Sequence, residues 1–247
     1  MHQPLTVPLW SPPPLIKNPW LRWGIGLGAV LYFALALSSL QPNWQRIGQG
    51  LERGGRIIAG FLQPDFASRW ADIQVGMLET VVMAVVATVM GVVVSVPIAL
   101  GASRNLAPLP VYLACRGIIA FTRSVHEVIV AIVFVVMVGF GPLAGVLTLT
   151  FATIGFLAKL LAEAIETIDP SPVEAILATG ASWLQVVSYG MVPQVMPRLI
   201  GLTVYRLDIN LRESAVIGIV GAGGIGATLN TAVDRYDYRT AGAIVLL

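Results

Sequence analysis

Apolar runs long enough to cross a bilayer recur along this chain and leave little choice of fold. Leu21 to Leu40 is almost uninterruptedly apolar, close to the ~20 residues that a spanning helix requires. Further runs over Ile73 to Leu100, Val111 to Val138, Leu143 to Ile168 and Gln194 to Val220 each read as a span. A last apolar stretch starts near Thr240 and stops at Leu247. At about 1.5 Å per residue it is too short to cross roughly 30 Å of hydrocarbon. The expected fold is an all-α polytopic membrane protein with about six transmembrane helices, the sixth incomplete. Residues 1–19 form a cytoplasmic tail and residues 20–247 the membrane domain.

Composition agrees. The 247 residues are 56% hydrophobic and 11% charged, against roughly 25% charged in soluble domains. A net charge of +2 on scattered basic residues gives no nucleic-acid footprint. The proline-rich segment before Pro19 lacks a cleavable signal pattern, because the first long apolar run begins only after Lys17 and Arg22. The single cysteine, Cys115, is a small apolar helix residue that cannot form an internal disulfide. With His2 and His126 it makes no recognisable metal-ligand cluster, so no metal is expected.

The connections carry the punctuation. Gln41 to Trp70 contains Arg46, Arg53, Arg56 and Arg69 among glycines and apolar residues, and reads as an external connection with an amphipathic helix near Arg46 to Phe61. Four external arginines run against the positive-inside rule; the orientation follows from counting spans to the segment described below. Trp20 and Trp23 suit a membrane interface. Pro97 falls near the end of the second span, where a kink is expected. Ser103 to Pro110 is a short inside turn carrying Arg104, and Gly139 to Pro142 is a tight turn. Gly221, Gly223, Gly224 and Gly226 form an outside turn or a close helix contact. They formally satisfy G-x-G-x-x-G, but no strand–helix context of a dinucleotide site surrounds them.

Charges inside spans cost about 2.5 to 3.5 kcal/mol each at a helix centre and call for partners or a polar cavity. Arg123 with Glu127, Asp208 with Arg212, and Lys159 with Glu163 are each four residues apart, on one helix face. Such pairs either neutralise one another or border a polar path. Arg206, Asn210 and Glu213 give the fifth span a second polar stripe that lipid would not tolerate. Arg206 has no acid at Leu202 or Asn210 and is the arginine expected to be free. A path lined by arginine suits a small oxyanion.

Asp169 to Pro193 is the one long interruption that does not look like a passive loop. It reads as two short helices: Ser171 as N-cap with Pro172 in the first turn, Glu174 completing a capping box and Gly180 as the stop; then Ser182 as N-cap, Gln185 as its partner, and Gly190 and Pro193 closing the second helix. Val173, Ile176 and Leu177 on the first, and Trp183, Leu184 and Val187 on the second, are apolar faces in need of cover. They fold back on the protein's own helices, lie in the lipid interface, or dock to a separate protein.

Glu174-Ala175-Ile176, Gly180 and Pro193 resemble the E-A-A-x(3)-G-x(9)-I-x-L-P motif of permease subunits in binding-protein-dependent ABC importers. Isoleucine replaces the second alanine, Gly190 stands at the usual isoleucine and Val192 precedes the proline. The resemblance narrows to the phosphonate-type permeases, which include phosphite and hypophosphite systems. It does so over Arg123 with Glu127, Val138 to Gly145, Ala178 to Ser182, Pro193 to Pro197, Tyr205 to Arg212 and Val220 to Gly226, covering roughly Asp65 to the end. It implies a type I, methionine-permease-like fold in a bacterial inner membrane and a homodimer with a second permease copy. It further implies two cytoplasmic ATPases that hold ATP and Mg, and a periplasmic phosphonate- or phosphite-binding protein. Ser171, Glu174, Ala175, Gly180, Ser182 and Pro193 are then the coupling residues. Arg123, Glu127, Arg206, Asp208, Asn210 and Arg212 border the pathway. This chain has no G-x-x-x-x-G-K-[ST], so the ATPase is a separate subunit and the chain is not itself an enzyme. The strongest alternative is an ion-coupled secondary carrier, for which intramembrane ion pairs and glycine-broken helices are also typical. An intramembrane serine protease lacks both G-x-S-x-G and a convincing serine–histidine pairing.

Overall fold

The computed structural model describes residues 18–39 and 43–247, so the proposed tail lies outside the described residues up to residue 17. The described residues are helical with short connections, as long apolar runs demand, because a helix satisfies its backbone hydrogen bonds within one segment. Contacts divide the chain into two units, 1–56 and 57–247.

In the first unit, α1 (Pro19–Ser39) has no buried residue. It is apolar on all sides, the composition of a lipid-facing span. Its start is fixed by Asn18, whose Oδ1 accepts the Trp20 N–H at 3.1 Å. The amphipathic helix expected near Arg46 to Phe61 is present as α2 (Trp44–Phe61), most of which belongs to this unit.

The second unit is built around α3 (Trp70–Gly101) and α6 (Pro142–Glu166), which share its most extensive contact. Small residues let them approach: Ala84, Ala87, Gly91 and Ala99 on α3, with Ala144, Gly145, Ala158 and Ala162 on α6, are all buried. A methyl group on Gly91 would collide with the Thr153 side chain. Lipid supplies no hydrophobic drive between helices, so close packing and hydrogen bonds hold them. Pro97 lies inside α3, which continues past it to Gly101.

Three clusters run along α3. Ile73 meets Ala232, Ala241 and Ile244; Met83 and Ala87 meet Ala131, Ala144, Leu149, Ile217 and Ala222; Ala99 and Ala102 meet Ile119, Ala158, Leu161, Ile165 and Val195. At the Ala99 end, Glu166 accepts from the Arg104 N–H at 2.8 Å and pairs with Arg116 at 2.9 Å, tying the turn after α3 to the end of α6.

Three expectations are corrected. The third apolar run is not one helix: α4 (Leu109–Ser124) and α5 (Glu127–Val138) meet at 92°. Val125 and His126 adopt extended backbone there. Gly190 and Pro193 do not close a helix. After α7 (Pro170–Ala178), the chain runs from α8 (Trp183–Gln185) through a π-helical turn, Val186–Met191, directly into α9 (Val192–Ile217). Pro193 sits in the first turn of α9, immediately after the π-helical turn. Finally, the chain beyond the glycine turn is helical at once, as α10 (Gly224–Asp234), before α11 (Tyr238–Leu246) over the last apolar stretch. Among the described residues, α1, α3 and α6 can each cross a bilayer by length and composition, and counting each of two bent pairs as one span raises the number to five.

Candidate functional site

The break between α4 and α5 opens a cavity lined by Thr122, Arg123, His126, Glu127, Phe156 and Arg206, among others. Three residues singled out in the sequence thus converge, but not by the expected route. Arg123 and Glu127 do not share a helix face, because one ends α4 and the other begins α5. Neither forms an ion pair among the described residues. His126 is the N-cap of α5, its Nδ1 accepting the Val128 N–H at 3.3 Å. Gly155 makes room for the end of α4, since a methyl there would lie 2.5 Å from Thr122 Oγ1 and 3.0 Å from Arg123 Cγ.

Arg206 is the second correction. It is buried, and rather than being free it donates from Nη2 to Glu213 Oε2 at 3.0 Å and from Nε to Thr153 Oγ1 at 3.1 Å. Its guanidinium carbon lies 5.4 Å from the centre of the Phe156 ring. Asn210, fully buried, donates to Thr88 Oγ1 at 2.8 Å and Thr153 Oγ1 at 3.1 Å. The Thr153 hydroxyl in turn donates to Leu149 O at 2.6 Å. One hydroxyl proton and two lone pairs are therefore all used. Thr88 donates to Ala84 O at 2.7 Å. This network pins α9 to α3 and α6 at one level and fixes the arginine that lines the cavity. The sequence spacing missed Glu213 as partner because it is two turns away, and missed Thr88 and Thr153 because they lie on other helices.

Asp208 and Arg212 do pair, at 2.7 Å, but on an exposed face of α9 away from the cavity lining. Lys159 and Glu163 approach to 3.7 Å with both side chains partly exposed.

The elbow formed by α7 and α8 has a different character. Its first cap is Asp169, not Ser171: Asp169 Oδ1 accepts the Ser171 N–H at 2.9 Å and the Ser171 hydroxyl at 2.8 Å. The Ser171–Glu174 capping box is therefore not formed. Pro170 takes the first helical position instead of Pro172. The Ser171 bonds hold the Asp169 carboxyl below the usual aspartate pKa. The second box is present, with the Ser182 N–H donating to Gln185 Oε1 at 2.8 Å. Gly180 has φ +77°, the left-handed stop expected of it.

One side of the elbow is covered by the chain itself. Val173 and Ile176 pack on Val186, Val187 and Met191, and the bare Cα of Gly190 admits them, a methyl there lying 3.3 Å from Val173 Cα. Gln194, which no local spacing points to, joins the two halves: its Oε1 accepts the Asp169 N–H at 3.0 Å and its Nε2 donates to Gly190 O at 2.7 Å. The other side is bare, with Leu177, Trp183 and Leu184 exposed by 53%, 59% and 67%. Ser171, Glu174, Ala175, Ser182 and Pro193 are exposed as well.

At the far end of α9 the glycines are locked in place. Gly221, Gly223 and Gly224 have φ of +98°, +81° and +72°. The Gly141 N–H donates to Gly221 O at 3.0 Å, the Gly224 N–H to Glu79 Oε2 at 3.0 Å and the Ile225 N–H to Thr80 Oγ1 at 2.8 Å. A methyl on Gly223 would fall 2.7 Å from Pro142 N, and one on Gly226 would collide with Ala215 O. The turn is a helix-packing joint.

A broken span beside a polar cavity, a fixed polar network joining α3, α6 and α9 and a two-helix elbow are features of a multi-pass membrane protein. The chain shares its fold with a permease of the ABC importer class. It matches a chain of the inward-facing MetNI methionine ABC transporter with a TM-score of 0.63 and 26% identity, over 72% of this chain and 88% of that one. Residues 91–247 match the family described as binding-protein-dependent transport system inner membrane component, and the chain belongs to that family. It is 39% identical over 218 residues to the putative phosphite transport system permease protein HtxC of Stutzerimonas stutzeri, across 87% of this chain and 77% of that protein. It is also 41% identical over 192 residues to the phosphate-import permease protein PhnE of Mycolicibacterium smegmatis, across 77% of this chain but only 36% of that protein, so it spans about a third of that relative's length.

Proposed function

We propose that this chain is the permease subunit of an ATP-driven importer that carries a phosphorus oxyanion, of the phosphonate, phosphite, hypophosphite or phosphate class, across a bacterial inner membrane. It works as a homodimer with two cytoplasmic ATPases, which hold ATP and Mg, and receives substrate from a periplasmic binding protein.

The observation that carries this reading is the half-covered elbow. An apolar face left bare on a segment outside the spans, while its opposite side is buried and hydrogen-bonded to α9, suits a socket on another protein. Closure of the ATPase pair pushes Leu177, Trp183 and Leu184. The movement passes through the π-helical turn into α9, and so to Arg206. The spans rock between inward- and outward-facing states, and no covalent step on the substrate is required. In the cavity Arg123 meets the anion while Arg206, already paired, contributes a fixed and partly neutralised charge. Passage needs weak contact, and one unpaired cation serves this better than a closed cluster.

The relatives' phosphite and phosphate names support the substrate class. In a reconstituted complex, Trp183→Glu and Leu184→Glu should abolish ATP-dependent uptake of phosphite and release the ATPase while leaving the permease folded. Undiminished uptake by both variants would refute the elbow's role. Uptake by the chain alone, driven by an ion gradient, would favour the secondary carrier.

A further inference from the structure

We infer that the part of α2 from Gln45 to Arg56 is a membrane-surface helix that collects anionic phospholipid headgroups. At 3.6 residues per turn, Gln45, Arg46, Gln49, Arg53 and Arg56 fall on one arc, with Glu52 at its edge, and Ile47 and Leu51 lie on the opposite side. Three arginines face one glutamate, and Glu52 engages only Arg56, at 3.7 Å with both side chains more than two-thirds exposed. Among the described residues, Arg46 and Arg53 form no ion pair.

Both faces of the helix are open. Ile47 and Leu51 are 44% and 74% exposed, and a methyl on Gly48, Gly50, Gly54 or Gly55 would touch nothing within 4 Å. Four glycines weaken a helix in water, so this one needs an outside surface to hold it. It is too polar to span, and it follows α1, every residue of which is exposed in the manner of a lipid-facing span. An amphipathic helix of this kind lies flat, with its apolar side in the acyl boundary and its arginines on the phosphates. Basic residues there gain up to roughly fivefold each in affinity for an anionic surface. Arginine also forms bidentate pairs with phosphate. None of this depends on which substrate the permease carries.

The test uses the full chain in vesicles of phosphatidylcholine with or without phosphatidylglycerol, with an environment-sensitive fluorophore on Leu51→Cys in a Cys115→Ala background. The expected result is a blue-shifted emission, quenched by spin labels on the acyl chains. In mixed vesicles, phosphatidylglycerol should be enriched around the protein roughly threefold or more over bulk, and the triple variant R46Q/R53Q/R56Q should lose that enrichment. A water-like emission at Leu51 would overturn the inference. So would enrichment unchanged in the triple variant, or, with the fluorophore omitted, a disulfide between the introduced thiols of two Leu51→Cys chains, which would put this face at a contact between copies.

Discussion

The two ends of α9 turn the chain in opposite ways. At its start, Gly180 supplies a left-handed stop in open space, with no atom within 4 Å of where a methyl would sit. The helices around it expose Leu177, Trp183 and Leu184. At its finish, Gly218, Gly221, Gly223, Gly224 and Gly226 all press on neighbouring atoms. Gly180 is needed for its backbone angle alone, whereas Gly221, Gly223 and Gly224 are needed for angle and volume together. An end built to move against a partner leaves room around its turn, whereas an end that anchors the helix leaves none.

The comparison breaks most visibly at Gly226. Gly226→Ala drives a methyl into Ala215 O, which has no flexible side chain to yield, and should cost about 3 kcal/mol or more. It is read as loss of monodisperse protein or a lowered Tm in detergent. Between the two ends, Arg206→Gln should cost roughly 2–3 kcal/mol, because it strands Glu213 in a poorly solvated place. Arg212→Gln on the exposed face should cost about 0.5 kcal/mol or less. Equal Tm values for these two variants would remove the distinction between network and surface. Gly180→Ala should cost only about 1 kcal/mol, the penalty of a left-handed alanine, and should lower uptake more than it lowers Tm.

The smallest effect concerns pH. The folded Asp169 carboxyl titrates below its unfolded value of about 3.9, its amide and hydroxyl bonds to Ser171 favouring the charged form. The cap therefore stabilises the elbow fully above the unfolded value and loses that contribution as pH falls through the folded one. Hydrogen exchange at Ser171 and the first turn of α7 should quicken as pH falls through that acidic window.

Much of this was legible because lipid imposes simple rules. The apolar runs give α1, α3 and α6 within a few residues, and Gly180 and the Ser182–Gln185 box are local signals that nothing overrides. The break at Val125–His126 was hidden because the run stays apolar on both sides and Arg123 and Glu127 fit an i,i+4 pair. Asp169 displaced Ser171 because Asp169-Pro170 and Ser171-Pro172 are equivalent starts two residues apart, and the tie falls to the carboxylate that also gathers the Ser171 hydroxyl. The stripe of Arg206, Asn210 and Glu213 was legible, but the Arg206–Glu213 pair spans two turns and the threonine partners lie on α3 and α6, beyond any local spacing. The helix α10 was missed because its glycine, threonine and asparagine are weak helix formers held in place by Glu79 and Thr80.

In the proposed function a separate ATPase, docked on the bare elbow, drives a phosphorus oxyanion past Arg123. Uptake of radiolabelled phosphate or phosphite into proteoliposomes, with ATP hydrolysis followed on the same preparation, tests it most directly. Uptake is expected only when the ATPase and ATP are both present. Arg123→Gln should slow that uptake about tenfold, in proportion to a lost charge–anion contact of about 1.4 kcal/mol, with basal hydrolysis unchanged. Uptake that proceeds without the ATPase, or an Arg123→Gln permease that transports as well as the parent, would contradict it.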